Sequence, residues 1–379
     1  MKQGWTYKKL GELVKVINGL WVGKKPPFTN VAVVRNANFT KSCTLDMSNI
    51  AYIDVEEKQF NTRELQYADI IIEKSGGSEK QPVGRPVFFN IKDRGYSFSN
   101  FTATLRVVSS DIVPEYLYKV LLAQYKQGVT KRLQSKTTGL HNLNFKSYLK
   151  SVIPIPPLST QQSIVVELDK INELIRLKKE QLKDYDNLAQ SIFYEMFGDP
   201  VANEKKWEVK RITDLCVEIS AGGDASKHEI KKTKDEIFYV PVYSNGIDKD
   251  GLYGYSNHAT IIQPAITLAA RGTIGAAFIR TEPYIPIIRL VSVIPDLSKI
   301  SLIYLLYILK QTEWDRTGGT IPQLPVPKVK QLTLPLPPLP LQQLFAQRIE
   351  LIEKQKAEVQ RTIKDLETLL ASRMQYWFD

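Results

Sequence analysis

A chain of 379 residues, of which 43% are apolar, has room for two domains and enough apolar material for buried cores. It contains no apolar run of about eighteen residues, and its first residues lack the apolar stretch of a secretory signal, so we expect neither a membrane span nor export. Two cysteines are too few for a disulfide framework or a thiolate zinc site, and a reducing cytoplasm is the expected compartment.

The net charge of +11 is unevenly distributed along the chain. Residues 1–158 contain 23 Lys and Arg against 12 Asp and Glu, which alone gives +11. The following segments contribute −2 (159–197), +2 (198–339) and zero (340–379). A surface kept basic only for solubility would spread this excess evenly, so its concentration favours a polyanionic partner, namely nucleic acid.

The first globular part is predicted to be mixed α/β. Apolar runs at 68–73 and 86–89 predict two paired strands, joined by a polar, glycine-containing loop at 74–84. Apolar residues at helical spacing predict a helix over 114–127.

A long amphipathic helix follows over 159–197. Its apolar face shows a sustained 4,3 spacing, which is typical of a coiled-coil seam. The seam positions are Ile164, Leu168, Ile171, Ile175, Lys178, Leu182, Tyr185, Ala189, Ile192 and Met196.

The second globular part repeats this order of elements. Strands are predicted at 264–269 and 276–279, a glycine loop at 270–275 and a helix over 297–311.

A second long helix completes the chain and is expected to pair with the first. Its seam positions are Phe345, Ile349, Ile352, Lys356, Val359, Ile363, Leu366, Leu370, Arg373 and Trp377. Lys178 and Lys356 interrupt the seams. Two interpretations stay open: selection of register or partner, or a lysine stem that lies along the seam with its ammonium group in water.

An internal repeat relates the two halves. Residues 143–158 (LNFKSYLKSVIPIPPL) match 324–339 (LPVPKVKQLTLPLPPL) at an offset of 181, which persists through the helix that follows. Residues 5–13 match 207–215 at an offset of 202. Because 207–215 follows the first long helix directly, the duplication predicts that Trp5 lies beside the end of the second long helix.

This duplicated order resembles the specificity subunit of type I restriction–modification systems, over the whole chain. The family's strand, glycine loop and Ile-Gly pattern is matched by 69–84 and 265–275, and its polar Thr-Gly segment by 137–142 and 318–323. One departure is Ala265, which stands where the first half has an aspartate, so a catalytic or metal-binding role for that carboxylate is not expected.

The resemblance implies an α+β fold: two mixed α/β target-recognition domains, separated by two long helices that form an antiparallel coiled coil in a pseudo-twofold cyclic arrangement. The expected segments are target-recognition domain 1 (1–158), a central helix (159–197), target-recognition domain 2 (198–339) and a distal helix (340–379). It further implies that each domain reads one half of a bipartite site in double-stranded DNA. The helices would space the domains and dock two modification subunits.

The same resemblance implies that the chain is not an enzyme. S-adenosylmethionine is expected only on the modification subunits, which methylate adenine, and a separate restriction and motor subunit translocates and cleaves DNA. We expect no catalytic residue, cofactor or metal site in this chain, and no membrane partner.

Candidate DNA contacts are basic, amide, imidazole and phenolic side chains. In the first globular part they are Arg35, Asn36, Lys74, Arg85, Lys131, Arg132, Lys136 and His141. In the second they are Tyr243, Asn245, His258, Arg271, Arg316 and Gln323, with Lys231, Lys232 and Lys234 as phosphate contacts. Each residue is also compatible with an ordinary solvated side chain. The three histidines stand apart in the sequence and are interpreted as structural or surface residues.

Two rival functions fit the sequence less well. A methyltransferase needs a motif of Asp or Asn followed by Pro-Pro and an aromatic residue, and the nearest match, residues 25–28, begins with lysine. A nuclease site could be assembled from Asp199, Glu208 and Lys210, but such combinations often arise by chance on charged surfaces. A coiled-coil adaptor that binds only protein explains the helices but not the basic first domain. Salt-dependent DNA binding distinguishes the adaptor from a DNA reader.

Overall fold

The computed structural model describes residues 4–21, 23, 25–79, 81–137, 140–314 and 323–379. They form two compact units. The first unit contains Met1–Leu177 and Ile363–Asp379, and the second contains Lys178–Thr362. Each unit thus takes part of both long helices, α5 (Leu158–Phe197) and α9 (Leu339–Phe378). The predicted domain boundaries instead keep each long helix as a segment of its own, and they stay a prediction.

The first unit contains twelve strands and four short helices among its described residues. The strands are β1 (Thr6–Lys9), β2 (Val14–Asn18), β3 (Phe28–Val34), β4 (Ala51–Glu56), β5 (Ile70–Glu73), β6 (Ser75–Gly77), β7 (Pro86–Phe88), β8 (Tyr96–Phe98), β9 (Thr102–Val107), β10 (Gln134–Thr137), β11 (Leu140–Leu143) and β12 (Val152–Ile155). The helices are α1 (Leu10–Leu13), α2 (Glu57–Arg63), α3 (Pro114–Lys126) and α4 (Phe145–Tyr148).

The second unit repeats most of these elements. Its strands are β13 (Glu208–Arg211), β14 (Cys216–Ala221), β15 (Val240–Tyr243), β16 (Leu252–Ser256), β17 (Ala265–Leu268), β18 (Ala277–Arg280), β19 (Ile285–Pro286), β20 (Val291–Pro295) and β21 (Thr333–Leu336). Its short helices are α6 (Ile212–Leu215), α7 (Leu302–Gln311) and α8 (Val326–Lys330).

Each unit is built on a four-stranded antiparallel sheet. The strand order is β2-β9-β5-β7 in the first unit and β14-β20-β17-β18 in the second. The strands predicted to pair do so, with Ile71 opposite Val87 and Thr267 opposite Phe278. Strand β5 is buried throughout, as expected for an apolar run in a sheet covered by other elements.

Each unit also contains a three-stranded sheet and a two-stranded ribbon, and the first has a further three-stranded sheet of order β10-β11-β6. The orders β4-β3-β8 and β16-β15-β19 each contain one parallel pair. The ribbon joins β1 to β12 and β13 to β21, with Thr6 opposite Ile155 and Glu208 opposite Leu336. These partners are related by the two sequence offsets, so the duplication and the α+β class predicted from it are confirmed.

The helix predicted over 297–311 begins five residues later than expected, at Leu302. Residues before it form a turn in which the Asp296 carboxylate accepts the N–H of Ser298 at 3.1 Å. The N–H of Ser301 is bound by the side chain of Gln342 at 2.8 Å. The local turn and the hydrogen bond to this distant amide therefore hold residues 297–301 outside the helix, although apolar spacing alone predicted helix there.

One glutamine near the start of each long helix is fully buried. The Gln161 Oε1 accepts the N–H of Val113 at 2.8 Å, and its Nε2 donates to the carbonyl of Pro156 at 2.9 Å. Gln342, 181 residues later, makes the same two contacts, with the N–H of Ser301 and the carbonyl of Pro337 at 2.7 Å. These amides fasten each long helix to the segment that begins α3 or α7.

In the first unit, the start of α5 packs on the end of α9. Ile164, Leu168 and Leu370 are buried, and the Glu167 carboxylate accepts hydrogen bonds from Arg373 and from the Trp377 indole, the latter at 3.0 Å. The helices therefore run antiparallel in this unit.

Trp5 and the end of α9 also meet in the first unit. The Trp5 and Trp377 rings stack with centroids 6.5 Å apart, and Phe378 contacts Tyr116 edge-on at 5.9 Å. The prediction that Trp5 lies beside the end of the second long helix is confirmed.

In the second unit, the end of α5 packs on the start of α9 and on α7. The buried face there includes Phe193 and Phe197, whereas the seam had predicted Ile192 and Met196, which are only half-buried. The reason is tertiary: Phe193 stacks on Tyr304 with centroids 5.8 Å apart, so the helix is covered by globular core as well as by its partner helix.

The seam lysine of α9 makes ionic contacts in the second unit. Its ammonium group lies 2.7 Å from Asp186 of α5 and 2.8 Å from Glu353, and hydrogen bonds to these carboxylates outweigh burial and raise the pKa of Lys356. Lys178 donates to Gln181 at 3.0 Å. Of the two open interpretations, Lys356 combines both, since its stem is covered while its charge selects an acidic partner on the other helix.

We predict that Gln161→Ala and Gln342→Ala each lower the free energy of unfolding by about 1–3 kcal/mol, because each leaves a backbone N–H without its acceptor. Thermal or denaturant unfolding measures the change. Gln162→Ala and Gln343→Ala are matched controls, since both neighbours are exposed. Equal stability of the buried and exposed variants would contradict this role.

A second prediction concerns pH. The hydrogen bonds from Arg373 and Trp377 lower the pKa of Glu167, so its stabilising effect is present above the unfolded-state pKa and is lost as pH falls through the lowered folded-state value. At neutral pH, Glu167→Gln should destabilise the chain by about 1 kcal/mol. Unfolding followed from pH 7 downward should show this gap closing in acid, with the exposed Glu350→Gln as control. A constant gap across the acid range would rule out this linkage.

Candidate nucleic-acid interface

The glycine loop and the polar Thr-Gly segment of the first unit lie in one small sheet. Strand β11 pairs with β10 and with β6, which places His141 opposite Lys136 and Gly77. The N–H of Leu143 donates to the carbonyl of Lys74 at 2.8 Å. Two segments about sixty residues apart in the chain thus share one surface.

The second unit makes the same connection with fewer residues. Arg271 bridges to Gln323 in antiparallel fashion, and its Nη2 donates to the Gln323 Oε1 at 3.2 Å. The N–H of Leu324 donates to the carbonyl of Ala270 at 2.9 Å, which repeats the bond of the first unit at the 181-residue offset. Most of the predicted segment 318–323, and residues 138–139 of its counterpart, lie outside the described residues.

An asparagine holds the glycine loop in each unit. Asn36 lies two residues after β3 and donates to the carbonyl of Ser75 at 2.7 Å. Asn245 lies two residues after β15, accepts the N–H of Ala270 at 2.6 Å and donates to the carbonyl of Ile288 at 2.6 Å. Both had been predicted as DNA contacts. Asn36 also donates to the Glu73 carboxylate at 3.1 Å. These contacts are all within the protein, so they position the surface; contact of either residue with DNA stays a prediction.

Arg85 is enclosed within the first unit. Its side chain is 4% exposed, its Nε lies 3.1 Å from the Glu73 carboxylate and its Nη1 donates to the carbonyl of Phe39 at 2.9 Å. Burial raises the pKa of Glu73, and the guanidinium opposes that effect. This placement argues for a structural role, because the guanidinium offers almost no surface to a phosphate.

The other predicted residues of the first unit differ in accessibility. Lys131 and Arg132 are exposed on a 3₁₀ turn, while His141 is buried with its Nδ1 3.2 Å from Gln134. Lys74 is half-buried 3.2 Å from the Asn18 amide oxygen, and burial lowers its pKa. Arg35 donates to the carbonyl of Asn49 at 3.3 Å. For Lys136 only the backbone is described.

In the second unit the predicted phosphate contacts are exposed. Lys231 pairs with Asp235 at 3.0 Å, and Lys232 lies over the Tyr253 ring at 3.6 Å. Lys234 is also exposed. The Tyr243 ring is covered by the guanidinium of the buried Arg280 at 3.5 Å. Arg316 lies outside the described residues.

Two of the histidines are adjacent, although the sequence had suggested isolated residues. The His228 Nδ1 lies 3.3 Å from the His258 Nε2, and burial and the neighbouring His258 lower the pKa of His228. The residues are 30 positions apart, so only the fold brings them together. Among the described residues, no group of three or more His, Cys, Asp and Glu could hold a metal ion.

A cavity of about 480 Å³ lies beside the glycine loop of the second unit. Its lining combines the predicted Arg271 and Gln323 with two cations that sequence reasoning missed, Lys227 and Arg289. The charged residues of the lining are three basic side chains and one acidic residue, Asp224, so the cavity carries a net positive charge that suits a polyanion. Lys227 and Arg289 follow glycine and proline turns far apart in the chain, and no spacing pattern links them.

The family of the type I restriction modification DNA specificity domain matches residues 2–184 and 204–368. The chain belongs to this family. The chain is therefore a type I specificity subunit that recognises DNA sequence with two domains. The alternative of a coiled-coil adaptor that binds only protein has no support. No helix of the described residues is long and apolar enough to cross a membrane.

The chain is similar to several known specificity subunits. A putative type I specificity subunit of Mycoplasma pneumoniae is 29% identical over 67% of this chain and 68% of its own length. The MjaIX type I restriction enzyme specificity subunit of Methanocaldococcus jannaschii is 23% identical over 92% of this chain and 87% of its own.

Solved structures share the fold. The S subunit of a type I restriction–modification system from M. genitalium superimposes with a TM-score of 0.56 at 13% identity, covering 99% of this chain and 96% of its own. A chain from a structure of complex assembly and conformational transition in the type I R-M system gives 0.63 at 17% identity, covering 100% and 98%.

We predict that Asn245→Ala frees the glycine loop of the second unit. The N–H of Ala270 loses its acceptor, so its hydrogen exchange should be about tenfold faster, the equivalent of one modest hydrogen bond. Amide exchange followed by NMR or mass spectrometry measures this, with the exposed Asn257→Ala as control. Unchanged exchange at Ala270 would show that the loop is held by other contacts.

Proposed function

We propose that each unit of this specificity subunit reads one half of a bipartite site in double-stranded DNA. The observation that supports this most directly is the duplicated loop surface. The equivalent backbone bonds join Leu143 to Lys74 in the first unit and Leu324 to Ala270 in the second, so the loop side chain at this point differs. Equal frames with different side chains suit two half-sites of different sequence, since base readout depends on side chains at groove depth.

The long helices are proposed to set the distance between the half-sites and to dock two modification subunits. Helix α5 has 40 residues, or about 60 Å at 1.5 Å per residue, which exceeds the roughly 34 Å of one DNA turn. A rod of this length is sufficient to address successive major-groove faces. The structure of the R-M system that resembles this chain concerns complex assembly, which is consistent with such docking.

Catalysis is proposed to belong to the partners. The modification subunits would bind S-adenosylmethionine and methylate adenine, a restriction and motor subunit would translocate and cleave DNA, and this chain would supply only sequence recognition, in the cytoplasm. The contacts of Asn36, Arg85 and Asn245 support a positioning role within a binding surface, because each goes to the protein's own backbone or carboxylates.

The independence of the two readers can be tested by exchange. Replacing residues 16–140 with those of a related specificity subunit should change one half of the methylated motif, because that segment carries only the first glycine loop. Methylome sequencing of cells that contain the chimera and its modification subunit gives the motif directly.

The reciprocal exchange of residues 218–321 is the matched control and should change only the other half. If either exchange altered both halves, the two units would not read independently. The absence of any bipartite methyladenine motif with the unmodified chain would overturn the proposed function itself.

A further inference from the structure

In each unit a tight turn precedes one strand of the four-stranded sheet, β9 in the first unit and β20 in the second. In the first unit the N–H of Thr102 donates to the carbonyl of Ser99 at 3.0 Å, and in the second the N–H of Leu290 donates to that of Ile287 at 3.1 Å. Ser99 bridges in parallel to Leu20, and Ile287 to Gly223. These matched bonds place the two turns at corresponding points of the two sheets, with Phe101 of the first unit at the place of Arg289, although positive φ values occur at Ile288 and Arg289 and not at Asn100 and Phe101.

In each unit the backbone of a glycine packs closely against the turn. A Cβ on Gly19 would lie 1.9 Å from the carbonyl oxygen of Ser99, and one on Gly222 would lie 2.4 Å from the carbonyl of Pro286. Only glycine permits this approach. The position of each turn is therefore fixed by backbone contact with the end of the neighbouring strand.

The turn of the second unit is held in an unfavourable conformation. Ile288 and Arg289 have φ values of 55° and 62°, a region that is rarely adopted by a β-branched residue. Three hydrogen bonds maintain it: Ile288 N–H to Gly223 at 2.8 Å, Arg289 N–H to Gly222 at 3.1 Å, and Asn245 Nδ2 to the Ile288 carbonyl at 2.6 Å. Backbone strain of this kind is concentrated at ligand clamps and binding sites.

The strained turn presents Arg289 at the cationic cavity. The side chain is exposed, lines the cavity beside Lys227 and Arg271, and has no hydrogen-bond or ion-pair partner among residues 140–314 and 323–379. A guanidinium with free donors at a cavity mouth is suited to bidentate recognition of acceptors.

Phe101 has a comparable position in the first unit. Its side chain is 44% exposed, and its carbonyl accepts the N–H groups of Lys74 at 2.8 Å and Ser75 at 3.0 Å. A Cβ on Gly76 would lie 3.6 Å from the ring. An exposed aromatic ring is thus fixed on the glycine loop, although exposure of so large an apolar group brings no benefit to folding.

We propose that Phe101 and Arg289 are specificity-determining residues, one for each half-site. The Arg289 guanidinium donates to O6 and N7 of a guanine, and the Phe101 ring contacts the methyl group of a thymine. This inference rests on the proposed function, because it requires each unit to read one half of the DNA site. The glycine loops and asparagines then serve as a common frame, and the residue at the turn supplies the difference in readout.

The test measures methyl transfer by the complex of this chain with its modification subunit, on DNA that carries the motif found by methylome sequencing. Single guanines of the second half-site are replaced by 7-deazaguanine, which lacks the N7 acceptor, and single thymines of the first by uracil, which lacks the methyl group. For the complex without substitutions, we expect that one base replacement in each half-site slows methyl transfer about tenfold. Arg289→Gln should abolish the 7-deazaguanine effect alone, and Phe101→Ala the uracil effect alone.

The ratio of rates on two substrates does not depend on the active fraction, so a partly unfolded variant still gives an answer. Arg211→Gln, an exposed arginine elsewhere in the second unit, is the matched control and should keep both effects. Retention of the analogue effects in Arg289→Gln and Phe101→Ala would overturn the inference. The inference would also be overturned if Arg289→Gln lowered the rate of methyl transfer equally on all substrates and weakened its salt dependence, because that result indicates a phosphate contact. A complex that methylates no bipartite motif would instead refute the proposed function.

Discussion

The buried amide groups of Gln161 and Gln342 each join segments that are distant in the chain. Each side chain accepts a backbone N–H from the residue before a core helix and donates to a carbonyl of the Pro-Pro segment. A buried amide without partners is unfavourable, so each amide stabilises the contact between the long helix, the Pro-Pro segment and the core helix. The junction brings the start of α3, the end of β12 and the start of α5 together in the first unit, and its duplicate does the same for α7, β21 and α9 in the second.

This rigid frame leaves the reading surface free to vary. The bonds that define the surface are mostly from backbone to backbone, as at Leu143 and Leu324, so side chains can change without loss of the frame. Side chains hold the frame at fewer points: an asparagine does so in each unit, and the Arg85–Glu73 pair does so in the first. A duplicated domain can therefore acquire two specificities on one scaffold.

Polar contacts also decide how the long helices meet. Apolar seams of this composition can slide or reverse with little change in buried area, whereas the Glu167 contacts in the first unit and the Lys356–Asp186 pair in the second fit only one register. The partly exposed pairs add little stability but exclude alternative alignments.

The duplication, the paired strands around each glycine loop, the two long helices and the location of Trp5 beside the end of α9 were all predictable from the amino-acid sequence. These features depend on local periodicity and on a repeat that is visible in the letters. Other features were visible only in the folded chain: Asn36, Arg85 and Asn245 bind the protein's own backbone, His228 lies against His258, and Phe101 and Arg289 occupy corresponding turns. Whether a polar side chain faces solvent or a buried carbonyl depends on contacts between residues far apart in the chain, and no spacing rule encodes them.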